Sequence, residues 1–351
     1  MHRLTHRFNE GRSLHVGLNA VSPEVYQGHL QPLLAAENDA REMSRLALAR
    51  GLAARLLLGS EATIDQFAGA VQASIERMIP GDNLVITFAG HGVSLRQSGD
   101  DADGHDEAWC LVDGIVLDDD LGQMLAEVPE GCEVVVVSDT CFAAGIVDEQ
   151  QDVLGAGARP SLAPSAATRL RIDQIARLPI RPELPGRVPG ADGADVGVLG
   201  IDAQDLRDLP TDILGSAGVL DGGSVLPRGP RTRAADDALA QLYREGRLPH
   251  ITSKRSRSVG RTALRADLVA LSASEEGQLA FEGPEHGLFT AALLAVFELV
   301  EVDRMSYEAL MSLVRAALVV QTPSLGTIQR RPEGLHRQPA LRLGVLPSSS
   351  A

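Results

Sequence analysis

Attack on a carbonyl carbon needs a nucleophile and a base. This chain offers one pair that its apolar runs would bring together. Cys141 follows the run 132–138 (CEVVVVS) within Asp139-Thr140-Cys141, and His91 follows the run 83–89 (NLVITFA) between Gly90 and Gly92. A thiol attacks as the thiolate, and a nearby imidazole can take its proton and later hand it to a leaving group. Gly90 and Gly92 let the backbone turn and leave space beside the ring, and Gly145 can serve a turn after the thiol. Taken singly, a cysteine at a strand end is more often a small core residue, and a histidine between glycines is often a turn residue. Two such residues after two buried strands make a candidate dyad, with Cys141 as nucleophile and His91 as general base.

The elements that must position this pair follow from periodicity. Residues 13–20, 54–58, 83–89 and 132–138 read as strands, and 35–50 and 62–79 carry apolar residues at helical spacing. Asn38 or Asp39 is available as a cap near the start of the first helix. Pro80-Gly81-Asp82 ends the second. The alternation of strand and helix predicts an α/β fold with a mostly parallel sheet covered on both faces. In such sheets the chemistry collects beyond the carboxyl ends of the strands, which is where His91 and Cys141 fall. From 151 to 261 the composition turns to Pro, Gly, Ala and Arg, which predicts a partly disordered insertion or linker with a short helix at 236–245. Strand character returns at 264–273, helices at 288–300 and 306–320, and an edge strand at 339–345, before a frayed tail. The expected organisation is a first region, 1–150, that carries the dyad, the linker 151–261, and a region 262–351 that completes the same domain.

Bulk properties narrow the partners. A formal net charge of -15 argues against a nucleic-acid partner and leaves room for acidic pockets that attract cationic side chains or metal ions. Lys254 is the sole lysine, so almost every basic side chain is arginine. Codon usage in a GC-rich genome accounts for that bias, yet any arginine-directed activity would meet many targets within the chain itself. With 44% hydrophobic but only 3% aromatic residues, the core must be mostly aliphatic. Three cysteines (Cys110, Cys132 and Cys141) with no CxxC or Cys/His zinc spacing predict reduced thiols, with neither disulfides nor a thiolate metal site. No stretch of 18 apolar residues is present, and the N-terminus has neither the apolar run nor the cleavage site of a secretory signal. A cytoplasmic protein without a membrane partner is therefore expected.

The surrounding motifs are more specific than the dyad. LHVGLNAV, Glu37-Asn38-Asp39 before AREM, TFAGHG, DADGHDEAWCLVDG, LDDDL, VVVVSDTCFAAG, LVALSASEEGQLAFE and GLFTAALL occur in order over about 13–150 and 262–345. Together they resemble the metacaspase and orthocaspase branch of the caspase-like cysteine peptidases, prokaryotic type. In caspases, too, the histidine lies about 50 residues before the cysteine. The resemblance implies a caspase-like three-layer α/β/α sandwich and cleavage of polypeptides after Arg, with Lys as a second choice. It implies self-processing in the linker, where Arg159, Arg169, Arg171, Arg228, Arg231, Arg233, Arg255 and Arg257 lie. Asp39 and Asp139 match the family's specificity carboxylates, and a guanidinium prefers such partners. Read from the residues alone, Asp39 is a helix cap and Asp139 a turn residue. Ala89, Gly92 and Ser272 complete the expected substrate-binding set, and the N–H groups of Cys141 and Gly92 the expected oxyanion hole.

Calcium activates many metacaspases, and the resemblance implies Asp106, Asp118, Asp119 and Asp148 as its ligands, a set of oxygen donors that suits a hard cation. A solvated acidic loop is the plainer account of those aspartates. No organic cofactor is implied, and a monomer is expected. The chain departs from the family at Phe142-Ala143-Ala144-Gly145, where His-Ser-Gly is common after the cysteine. It departs also at Ala89, often Ser, and at Ala36, near a common Cys. Two other readings stay open: a non-catalytic binding or scaffold module on the same fold, and a clostripain-like or separase-like protease. Retention of both dyad residues favours an enzyme, and the acidic loop with the Asn-Asp segment favours the metacaspase branch.

Overall fold

A computed structural model of the chain describes residues 11–96, 105–141, 187–189, 195–197, 226–228, 233–251, 264–274, 279–299, 305–318 and 321–330. The strands are β1 (Gly11–Gly17), β2 (Ala53–Leu58), β3 (Asn83–Ala89), β4 (Gly92–Arg96), β5 (His105–Leu111), β6 (Gly114–Leu117), β7 (Glu133–Asp139), β8 (Arg187–Pro189), β9 (Asp195–Gly197), β10 (Leu226–Pro227), β11 (Asp267–Ser272), β12 (Phe281–Glu282) and β13 (Ser324–Ile328). The helices are α1 (Ala36–Ala49), α2 (Ile64–Ile75), α3 (Asp118–Leu125), α4 (Arg233–Arg244), α5 (Leu288–Leu299) and α6 (Tyr307–Ala317).

Six strands form the central sheet in the order β13-β11-β7-β3-β1-β2. All neighbours run parallel except β13, which is antiparallel to β11. The apolar runs of the sequence are explained by burial on both faces. In β3, β7 and β11, Val85, Val135, Val137, Val269 and Leu271 face α1, α5 and α6. Their neighbours Leu84, Ile86, Phe88, Val134, Val136, Leu268 and Ala270 face α2 and α3. This period-two division makes an α/β fold in three layers. Among the described residues no helix is long and apolar enough to cross a membrane.

Three differences from expectation bear on the site. The acidic stretch after β3 is not simply a loop, because β4, β5 and β6 form an antiparallel three-stranded sheet. Its apolar side packs against Tyr26, Leu30 and α4, which encloses Leu239 and Leu242. Second, α1 begins at Ala36 with no side-chain cap from Ala35, and Asn38 and Asp39 lie inside its first turn. Asp39 is thus free of capping and available for other use. Third, β10 and β12 pair as a short antiparallel ribbon, which brings linker residues 226–227 against the segment after β11. The expected edge strand 339–345 and most of the linker lie outside the described residues.

Two close approaches set the height of α1. Gly17 ends β1, and a Cβ there would stand 2.6 Å from the Ala36 carbonyl and 2.7 Å from the Ala40 Cβ. The helix start therefore rests on the strand end with no side chain between them. Gly17→Ala should push α1 away and cost about 1–3 kcal/mol, as overpacking does. Urea denaturation measures this, and an unchanged midpoint would show that the helix is not seated there.

Candidate active site

Strand register explains how two distant sequence segments converge. Ala89 of β3 pairs with Asp139 of β7 in parallel register. His91 and Cys141 each follow two residues after that pair, so they leave adjacent strands at the same height. Gly17 pairs with Ala89 on the other side, and it places the first turn of α1 at the same edge. Beyond β11, the segment 279–287 returns over this edge and carries β12.

The resulting pocket is filled by the chain's own Arg228, whose side chain is fully buried. Its Nη2 is bonded to Asp39 Oδ2 and lies 3.3 Å from Glu282 Oε2. Its Nη1 donates to the Asp139 carbonyl at 2.9 Å and lies 3.4 Å from Asp139 Oδ1. Burial alone would lower the guanidinium pKa, but Asp139, Asp39 and Glu282 together outweigh burial and push it up. Asp139 in turn is raised by burial, against the pull of Arg228 and of Thr290, whose N–H and hydroxyl donate to Oδ2 at 2.9 and 2.6 Å. Asp39 Oδ1 accepts from His286 Nδ1 at 2.9 Å, and Gly287 N–H approaches both carboxylate oxygens at 3.2 and 3.0 Å. Burial works against protonation of His286, yet its bond to Asp39 raises its pKa on balance.

The backbone of Arg228 is held as firmly as its side chain. Its N–H donates to the Ala280 carbonyl at 2.9 Å, continuing the β10–β12 ladder. Its carbonyl accepts from Gly92 N–H at 3.1 Å. Cys141 lies beside this peptide and receives the Ala280 N–H at Sγ, 3.1 Å away. Burial pushes the Cys141 thiol up to about 12, only partly offset by the Ala280 hydrogen bond and by Arg228. With Arg228 seated, Cys141 is therefore a neutral thiol. His91 is buried, and its Nε2 donates to the Gln31 carbonyl at 2.7 Å. A carbonyl can only accept, so Nε2 carries the proton of this bond, and in the neutral ring the lone pair falls on Nδ1.

The expected substrate residues meet this pocket unevenly. Asp39, Asp139 and Gly92 contact Arg228 directly. Ala89 sits buried at the end of β3 beside Leu33 and Ala36. Ser272 ends β11 opposite Ser138, one strand beyond Cys141. Sequence reasoning missed Glu282, Gly287, His286 and Thr290. One signal was present: Glu282 follows the apolar triplet Leu279-Ala280-Phe281, an unusual place for a carboxylate. Of the calcium candidates, Asp118 and Asp119 open α3, and Asp106 lies on β5 opposite Leu95. Asp148 lies outside the described residues. Among the described residues no three His, Cys, Asp or Glu side chains come together as a metal cage.

Gly287 forms part of the pocket wall. A Cβ there would stand 2.7 Å from the Arg228 Cζ and 2.8 Å from its Nη2. Gly287→Ala should therefore press on the seated Arg228 guanidinium and cost about 1–3 kcal/mol, as overpacking does. Urea denaturation checks this, and an unchanged midpoint would move the wall elsewhere.

Comparison with known proteins places the chain in a family. Metacaspase-7 and Metacaspase-4 of Arabidopsis thaliana are each 30% identical to this chain, over 158 and 142 residues, or 41% and 37% of it. The matches cover 37% and 34% of those proteins, so the chain spans about a third of the length of the curated relatives it matches. A crystal structure of protein GSU0716 from Geobacter sulfurreducens superposes with a TM-score of 0.60 at 22% identity, covering 94% of this chain and 97% of that one, a likeness of fold. A family model described as Caspase domain matches residues 20–339. That match runs from before α1 to beyond β13 and takes in every element that lines the pocket: the chain belongs to the caspase domain family.

Proposed function

We propose that the chain is a cysteine endopeptidase that cuts after arginine, and that the bond between Arg228 and Gly229 is its own first substrate. The observation that carries this reading is the seating of Arg228. Its guanidinium is among three carboxylates and its carbonyl is on the Gly92 N–H. An adjacent ladder pair, Leu226 with Glu282 and Pro227 with Phe281, aligns the residues before it as an extended peptide.

The chemistry follows from the groups present. His91 Nδ1 takes the Cys141 proton, and the sulfur attacks the Arg228 carbonyl carbon. The oxygen gains the charge and is met by the Gly92 N–H and, on this reading, by the Cys141 N–H. The C–N bond to Gly229 then breaks, and His91 returns its proton to the departing amine. Water, deprotonated by His91, hydrolyses the thioester, leaving a carboxylate on Arg228 and freeing Cys141. No redox partner enters. Calcium remains part of the proposal through Asp106, Asp118, Asp119 and Asp148, and assays run with calcium and with a chelator read its effect directly.

Self-cleavage gives the decisive test. The wild-type chain should split into two fragments whose new ends, by mass spectrometry, are Arg228 and Gly229. Cys141→Ala and His91→Ala should stay whole, and Arg228→Gln should resist cutting there while still cleaving added arginine peptides. A wild-type chain that stays intact and cleaves no arginine peptide, with or without calcium, sinks the proposal. Substrate preference gives a second expectation. Both terminal nitrogens of the guanidinium have their own acceptors, whereas a lysine ammonium is one point charge. Losing one charge-assisted bond costs about 1.5–3 kcal/mol. Arginine peptides should therefore exceed matched lysine peptides in kcat/KM by roughly tenfold to a hundredfold. Equal rates would contradict the assignment of this pocket.

A further inference from the structure

The segment between β1 and α1 meets both halves of the site. Gln31 supplies the carbonyl that accepts His91 Nε2 at 2.7 Å. Three residues later, Leu34 N–H donates to Glu282 Oε1 at 2.7 Å, and Ala35 N–H donates to Glu282 Oε2 at 3.2 Å. Gln31 and Leu34 are both exposed, so their own side chains do little to anchor the segment. The start of α1 has no cap from Ala35 itself, and the Glu282 carboxylate sits at those N–H groups instead. A helix start favours an anion there through its open donors and its dipole. The Glu282 side chain is fully enclosed, and its Oε2 also lies 3.3 Å from the Arg228 guanidinium.

We propose that Glu282 is a positioning residue as well as a pocket carboxylate, linking arginine in the pocket to the orientation of His91. The proposal rests on the reading of Cys141 and His91 as the dyad. The link is a chain of direct contacts. The guanidinium holds Glu282, Glu282 holds the amides of residues 34 and 35, and that segment holds the imidazole through the Gln31 carbonyl. When the pocket is empty, the buried carboxylate loses its counter-charge, and the segment loses the rigidity that the counter-charge supports. The base is thus best aimed when the correct side chain is bound. Beyond Arg228, the side chains of Asp39 and Asp139 bond to His286, Gly287 and Thr290 rather than to the amides of residues 34 and 35.

The test uses the full chain and a fluorogenic peptide ending in arginine, with kcat and KM measured across the pH range of activity. Glu282→Ala should raise KM and also lower kcat by about tenfold or more, because a misaimed base loses part of its contribution. Glu282→Gln removes the charge but keeps an amide oxygen to accept one N–H, so it should raise KM and retain most of kcat. Leu34→Pro leaves every pocket carboxylate in place and deletes one of the amides that Glu282 holds, on an exposed residue. It should lower kcat by about fivefold with KM nearly unchanged. In Glu282→Ala and Leu34→Pro the acid limb of the kcat–pH profile should move, which a loss of packing alone would not cause. If kcat stays within about twofold of wild type in both variants, or the acid limb stays in place, the proposal is overturned. If Glu282→Ala shows no cooperative thermal transition, Leu34→Pro decides alone, and an unchanged kcat there overturns it. A wild-type chain without activity on the peptide would sink the dyad reading and this inference together, whereas an active wild type with indifferent variants sinks only the inference.

Discussion

A guanidinium taken out of water must find negative charge, and Arg228 is wholly enclosed. Three carboxylates answer it, from places far apart in the chain: the first turn of α1, the end of β7, and β12. Removing one member of such a buried set typically costs about 3–5 kcal/mol, because a charge is left without compensation. The converse holds for the pocket, where three acidic groups close together would repel one another without a cation between them. Occupied by arginine, the site is balanced. The local arrangement of the site, from the α1 start to the turn holding Gly287, follows from the need to deliver those carboxylates to one point.

The sheet meets that need through register. Because β3 and β7 are parallel neighbours paired at Ala89 and Asp139, the residues two positions on share one height. A slip of one residue would reverse the faces of a strand and separate the thiol from the imidazole. The valine run of β7 and the apolar run of β3, buried on both sides, hold the register in place. Packing thus serves the site through alignment.

Much of this was legible from the residues. Runs such as NLVITFA and CEVVVVS announce buried parallel strands, and the candidate dyad, His91 and Cys141, sits just after them. Asp39 and Asp139 could be named through family likeness, although Asp39 alone read as a helix cap. Glu282 was harder to see, because its role depends on the chain folding back over the sheet edge, and nothing local marks that return. Arg228 stood among fifteen arginines in 151–261, with nothing local to set it apart. Only the pairing of 226–227 with 281–282 singles it out, and a two-residue ladder leaves no periodic trace. The β4–β6 sheet was obscured by the acidic run around it, which reads as loop although Glu107, on β5, is buried.

The occupant of the pocket is also part of the polymer that forms it, and this changes the terms of competition. Downstream of Arg228, α4 packs on the β4–β6 sheet through Leu239 and Leu242, and Pro249 accepts the Ile115 N–H at 2.8 Å. Only four residues of sequence separate Arg228 from the start of α4, so the arginine is tethered to an anchored element. A tethered ligand of this kind acts at an effective concentration on the order of millimolar, whatever the protein concentration. Dilution cannot empty the pocket, and a free peptide must outcompete a neighbour that never diffuses away. On the proposed reading, an outside peptide can enter only once the chain beyond Arg228 is cut or its guanidinium is released.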